Sequence, residues 1–196
     1  MKVYHLMGKV PYCTNCFLMT DNEGSAVLFD CSIKWEKIEQ LLKNDNVQLK
    51  AIFMTHGHED HRECIDEIMQ HTDAPIYMGQ EDIDQFGLEN IQPLKDKTKI
   101  EIGQMKIFAF HTPGHTPGGY CFKVDDMLIS GDTLFAGTIG RTDFEGGDYD
   151  TLMKSLRKIA DIVGNQNVKV MPGHAHFSTF NQEKVQNMYL KEVLSW

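Results

Sequence analysis

Thr55-His56-Gly57-His58-Glu59-Asp60-His61 places three imidazoles and the Asp60 carboxylate within six residues. The stretch follows Ala51-Ile52-Phe53-Met54, an apolar run of the kind a strand covered on both faces shows. It therefore reads as a polar loop at the end of a buried strand. Such groups cannot all leave water without partners, because each would lose its hydration. A divalent cation supplies the partner, since imidazole nitrogen and carboxylate oxygen are zinc-type ligands. In extended backbone His56 and His58 point to the same side with Gly57 between them. Asp60 and His61 follow where the chain turns into a helix and so face a second point. One cluster can thus feed two metals; a solvated, His-rich loop is the alternative for this stretch taken alone.

Three further stretches follow strands in the same way. In His111-Thr112-Pro113-Gly114-His115-Thr116-Pro117-Gly118-Gly119, proline and glycine fix a tight path suited to presenting a ligand. His115 is the candidate, and His111 reads as a strand-end residue hydrogen-bonded nearby. Ser130-Gly131-Asp132-Thr133 follows another apolar strand. The Asp132 oxygens can bridge two cations, or the residue can cap Thr133 or a neighbouring amide. In Met171-Pro172-Gly173-His174-Ala175-His176, His174 follows a strand and a glycine as His115 does, and His176 reads as a surface residue.

The remaining chain alternates strands and helices. Val3–Leu6 reads as a strand, and Cys16–Thr20 with Ser25–Phe29 as a hairpin across Asp21-Asn22-Glu23-Gly24. Ser32 reads as the cap of a helix running to about Lys43. Further helices are expected at Arg62–Gln70, Asp82–Phe86, Asp148–Val163 and Asn181–Leu194, and further strands at Pro75–Met78, Lys106–Phe110 and Val168–Met171. Gly119–Lys123 and Met127–Ser130 form a second expected hairpin, and Phe135–Gly147 a long loop. The strand-hairpin-helix pattern occurs once in each half. That arrangement predicts a layered α/β protein with two sheets face to face and helices outside, in a single domain over residues 1–196.

Composition narrows the function. Asp plus Glu outnumber Lys plus Arg by 28 to 19, for a net charge of −9, which disfavours a nucleic-acid partner. Apolar runs are strand-sized and do not approach the ~20 residues of a membrane span. The N-terminus lacks a signal-peptide core, and five cysteines are an odd number, so reduced thiols and a cytoplasmic location are expected. Cys13 and Cys16 read as structural thiols, because Cys16 falls inside a strand.

Taken together, five histidines and two aspartates occur in order on loops after strands. That order resembles the metallo-β-lactamase superfamily, whose pattern is His-x-His-x-Asp-His followed by a lone His, an Asp and a lone His. The resemblance covers essentially the whole chain and implies a four-layer αββα sandwich. It also implies that His56, His58 and His115 hold a first metal, that Asp60, His61 and His174 hold a second, and that Asp132 bridges them. Asn15-Cys16-Phe17-Leu18 and Ile139-Gly140-Arg141-Thr142-Asp143-Phe144 are similar to the glyoxalase II (hydroxyacylglutathione hydrolase) relatives, in their short single-domain form. The chain ends 22 residues after His174, so no C-terminal glutathione-binding extension is expected.

The implied activity is hydrolysis of a small, anionic thioester, such as an S-hydroxyacyl thiol, by a hydroxide bridging two divalent ions, zinc before iron or manganese. Asp60 and Asp132 are the catalytic carboxylates of that reading. Arg141 either contacts an anionic group of the substrate or pairs with a nearby acid such as Asp143. The same residues permit a mononuclear-iron persulfide dioxygenase, or a lactone or β-lactam hydrolase.

Overall fold

The alternation of large apolar side chains along the strands sorts them into two faces, and that sorting builds the layers. In the computed structural model, which describes all 196 residues, the first half contributes β1 (Lys2–Met7), β2 (Asn15–Thr20), β3 (Ser25–Phe29), α1 (Trp35–Asp45), β4 (Gln48–Phe53), α2 (Glu59–Arg62), α3 (Ile65–Met69), β5 (Ile76–Met78), α4 (Gln80–Phe86) and β6 (Gln92–Pro93). The second half contributes β7 (Thr98–Ile102), β8 (Met105–His111), β9 (Tyr120–Val124), β10 (Met127–Gly131), β11 (Leu134–Phe135), β12 (Thr138–Ile139), α5 (Tyr149–Val163), β13 (Lys169–Pro172), β14 (Ser178–Thr179), α6 (Phe180–Gln186) and α7 (Met188–Leu194). One sheet has the order β1-β2-β3-β4-β5-β6 and the other β14-β13-β10-β9-β8-β7, with β11 and β12 forming a small separate ribbon.

Phe17, Met19, Val27, Phe29 and Phe53 of the first sheet meet Ile107, Ala109, Phe122, Val124 and Ile129 of the second in a central core. The intervening residues Cys16, Leu18, Leu28 and Ile52 face the other way, onto Ile38 and Leu42 of α1 and Ile65 and Ile68 of α3. Across the molecule, Cys121, Leu128 and Val170 pack on Leu156 and Ile159 of α5 and on Leu190 of α7. A period of two places alternate residues on opposite faces, so each sheet is buried on both sides. The result is the αββα sandwich.

Several elements depart from the sequence expectation. Helix α1 starts at Trp35, capped by the backbone of Lys34, because the Ser32 hydroxyl donates to Thr14 O instead. The expected helix Arg62–Gln70 is two helices. Cys64 N donates to Cys31 O at 2.8 Å, which takes it out of the helical ladder. The expected helix Asn181–Leu194 is likewise broken at Asn187, whose side chain accepts from Tyr189 N and Leu190 N and so caps a new helix. Strand β7 was not expected; it pairs with β8 across Gly103, at φ +54°. The expected loop Phe135–Gly147 carries β12 and the end of β11.

Strands β3 and β4 run parallel, as do β10 and β13, and β8 shares the direction of β10 because each is antiparallel to β9. Their C-terminal ends lie at one edge of the sandwich. There the sheets are joined directly, by Tyr120 N donating to Thr55 O and Asn15 N donating to Gly173 O, each at 2.7 Å. No helix is long and apolar enough to cross a membrane.

Phe122 is fully buried between Phe29 and Phe53, with ring centroids 5.4 Å from each. Phe122→Ala removes contacts on both sheets and is expected to cost about 3–5 kcal/mol. Urea unfolding checks this: the midpoint should fall with the slope unchanged.

Candidate metal centre

Five strand ends deliver the site. Asp30 follows β3, His56–His61 follow β4, His115 follows β8, Asp132 follows β10 and His174 follows β13. Donor atoms of His56, His58 and His115 lie within 4.8 Å of one another, and so do those of Asp60, His61 and His174. A third such grouping, His56, His61 and Asp132, links them. All seven residues expected from the sequence therefore converge.

Four of the five imidazoles are held with one nitrogen tied off and the other turned inward. His61 Nδ1 is 2.9 Å from Asp30 Oδ2, His115 Nδ1 is 2.7 Å from Arg141 O, His174 Nδ1 is 3.1 Å from Tyr12 O, and His56 Nδ1 is 3.1 Å from Thr55 Oγ1. An outer partner of this kind fixes ring orientation and tautomer in metal sites. The inward atoms crowd one another: His58 Nδ1 lies 2.9 Å from His115 Nε2, and His61 Nε2 3.3 Å from His174 Nε2. Asp132 sits between the groups, with Oδ1 3.3 Å from His61 Nε2 and Oδ2 3.5 Å from His115 Nε2 and 3.4 Å from His174 Nε2.

Two buried atoms in this cluster, His56 Nε2 and Asp132 Oδ1, have no hydrogen-bond partner. Buried polar atoms are normally satisfied, so both mark a place where an electron-pair acceptor belongs. A divalent cation fits that need, and nitrogen and carboxylate donors suit zinc, iron or manganese.

The electrostatics follow from the crowding. Burial, joined by the neighbouring imidazoles, holds His56 well below its ordinary pKa, and burial with His115 nearby takes His58 down to about 4. Burial also acts on His61, but the Asp30 and Asp132 charges outweigh it and raise the imidazole. His174 is raised in the same way, burial being outweighed by Asp60 and Asp132. Burial would raise Asp60 and Asp132; the hydrogen bond from His174 and the charge of His61 hold Asp60 down, and His61 does the same for Asp132.

Three supporting residues were not expected from the sequence. Asp30, in a left-handed conformation at φ +62°, accepts from Thr55 N and from the Thr55 hydroxyl as well as facing His61. Its signal was present, because it follows the apolar run Ala26–Phe29 as Asp132 follows Met127–Ile129. Thr14 donates to Asp60 Oδ2 at 2.6 Å. Asp82, fully buried on α4, accepts from Gly57 N at 2.8 Å, the Thr116 hydroxyl at 2.8 Å and Gly118 N at 2.6 Å. One carboxylate thus ties the loop bearing His56 and His58 to the loop bearing His115. Gly57 has no alternative here, since a Cβ would strike the Phe86 ring. Gly173 is similarly constrained by Asp132 and His61.

The other histidines stand apart. His111 Nε2 is 2.8 Å from Pro117 O, His176 is exposed, His5 is 2.7 Å from Asn15 Oδ1 and His71 stacks on Trp35. The Arg141 guanidinium donates to both Asp143 oxygens, at 2.7 and 2.6 Å, which is the pairing alternative for that side chain. What Arg141 gives the site is its backbone carbonyl, beneath His115.

Asp82→Ala leaves three donors without their acceptor, and a lost supporting partner typically costs 10–100-fold (roughly) in metal affinity. Zinc titration against a competing chelator should show weakening at the His56, His58 and His115 group, with the Asp60, His61 and His174 group less affected. Equal weakening of both groups would mean that Asp82 acts on the fold alone.

Residues 11–174 match the family model of the metallo-beta-lactamase superfamily. The hydroxyacylglutathione hydrolase GloC of Haemophilus influenzae is 34% identical over 90% of this chain and 92% of its own length. The probable polyketide biosynthesis zinc-dependent hydrolase PksB of Bacillus subtilis is 31% identical over 98% of this chain and 86% of its own. Among solved structures, the BLEG-1 B3 metallo-beta-lactamase superposes with a TM-score of 0.83 at 27% identity, covering 96% of this chain and 99% of that one. The chain belongs to the metallo-beta-lactamase superfamily and is a metal-dependent hydrolase of that superfamily.

Proposed function

We propose that the protein is a binuclear metallohydrolase that cleaves small thioesters, in the manner of a hydroxyacylglutathione hydrolase. The observation that carries this reading is the pair of three-donor groups flanking Asp132, which offers an oxygen towards each. His56, His58 and His115 would hold one ion, Asp60, His61 and His174 the other, and Asp132 would serve both. Bound divalent ions supply a hydroxide at neutral pH and an electrophile for a carbonyl oxygen, zinc being the first choice and iron or manganese the alternatives.

The chain's own residues supply position and selectivity. Five of the donors, His58, Asp60, His115, Asp132 and His174, line an open cleft of about 840 Å³ together with Val10, Tyr12, Phe135, Ile139 and Phe144. Asp60 and Asp132 line the floor of the cleft, where they would hold the ions and orient the attacking water. In hydrolysis a water oxygen bonds to the carbonyl carbon, the C–S bond breaks and the thiolate leaves with the electron pair; of the two water protons one ends on the thiol and the other passes to solvent, leaving the carboxylate product. A thiol ionises near pH ~8.5, so its anion departs without a strong general acid. Thr14 and Asp30 keep Asp60 and His61 in place during the attack. All five cysteines are unpaired, which supports placing the reaction in the reducing cytosol.

Metal analysis of anaerobically purified protein, paired with a thioester panel, tests the reading. Two ions per chain and oxygen-independent thioester cleavage are expected. His58→Ala should lose one ion, and Asp132→Ala should cut kcat/KM by about 100-fold or more. Oxygen uptake with glutathione persulfide at a single iron would replace this reading with the dioxygenase. Turnover of nitrocefin without thioester cleavage would replace it with a β-lactam hydrolase.

A further inference from the structure

Outside the ligand set, two basic side chains line the cleft, Lys9 and Arg141, and both are already engaged. Lys9 Nζ lies 2.6 Å from Glu63 Oε1. Arg141 makes two bonds to Asp143, and its guanidinium carbon sits 3.8 Å from the Phe144 ring centroid. Planar, bidentate pairing is the stronger form of such a contact, and the ring fixes the guanidinium further. Glu59 also lines the cleft and has no basic partner within salt-bridge distance. Apart from the metal centre itself, the outer cleft therefore presents an anionic substrate arm with two basic side chains already paired to acids and one unpaired carboxylate. Lys184, near the C-terminus, is occupied elsewhere, donating to Gly164 O at 2.7 Å.

The walls of the same cleft are apolar and open. Val10 is 83% exposed, Tyr12 65% and Phe144 48%. Large apolar side chains grouped on a surface at a functional cleft mark a contact surface for a ligand. Tyr12 also sits on the ligand set through its backbone, whose carbonyl faces His174 Nδ1. Tyr12 and Phe144 thus line the same cleft as the ligand residues His58, Asp60, His115, Asp132 and His174.

We propose that the thiol arm of the substrate is uncharged, an amide-linked alkyl thiol of the pantetheine type, and that it lies between Tyr12 and Phe144. This rests on the thioester reading and refines it. Glutathione carries two carboxylates and one ammonium and must either remain unpaired in this cleft or break the Lys9–Glu63 and Arg141–Asp143 pairs. A pantetheine arm is similar in length, has no charge, and buries alkyl surface against the two rings.

The test compares one hydroxyacyl group carried on pantetheine and on glutathione, with the matching non-hydrolysable thioethers, on the metal-loaded full chain. Isothermal titration of the thioethers should show pantetheine binding about fivefold tighter, the scale of one like-charge contact screened by water. Tyr12→Ala and Phe144→Ala should each weaken the pantetheine thioether more than the glutathione one. Equal or tighter binding of the glutathione thioether overturns the proposal. Thioester turnover is read separately: if neither thioester is cleaved, the thioesterase reading fails, while the thioether binding still decides the nature of the arm.

Discussion

Seven metal-type donors meet at one sheet edge with their lone pairs facing inward, and the rest of the architecture answers to that confrontation. Imidazole nitrogens 2.9–3.3 Å apart and a buried carboxylate oxygen with no donor are tolerable only where a cation or a proton takes up the electron density. The fold contributes rigidity. Each donor lies within eight residues of a strand end, Asp60 and His61 on the short helix α2, so its backbone has little freedom. The outer nitrogen of four of the five rings meets a neighbouring oxygen, which leaves the inner one free to bind.

This arrangement explains which parts of the protein were legible in the sequence. His56, His58, Asp60 and His61 were legible because a dense polar cluster directly after an apolar strand has few explanations. His115, Asp132 and His174 were weak one at a time and became readable through their order. The αββα layering was legible in the hairpins and in strands apolar on both faces. Asp82 was not, because its role lies in three bonds to residues 25–36 positions away, and nothing local distinguishes it from a solvated helix acid. The breaks at Cys64 and Asn187 were hidden for the same reason: helical periodicity continues through both, and tertiary hydrogen bonds override it.

Arg141 shows a different limit. The sequence left two roles for its side chain, and the structure pairs that side chain with Asp143. Its main-chain carbonyl, which any residue would possess, is the group that meets His115. The sequence stretch therefore matters as a path, held by Gly140 against Asp132 O, where a Cβ would collide, as much as it matters for the charge it carries.

The donors are also divided between the two sheets. His56, His58, Asp60 and His61 follow a strand of the first, while His115, Asp132 and His174 follow strands of the second. Each three-donor group draws on both halves. Apart from the site, the sheets are held at this edge by hydrogen bonds such as Tyr120 N to Thr55 O and Asn15 N to Gly173 O, and below it by the aromatic core. Because the donors come together only in the folded chain, cation binding there is linked to folding. The same geometry that makes a reactive centre closes the open end of the sandwich, so the activity and the integrity of this edge rest on one set of side chains.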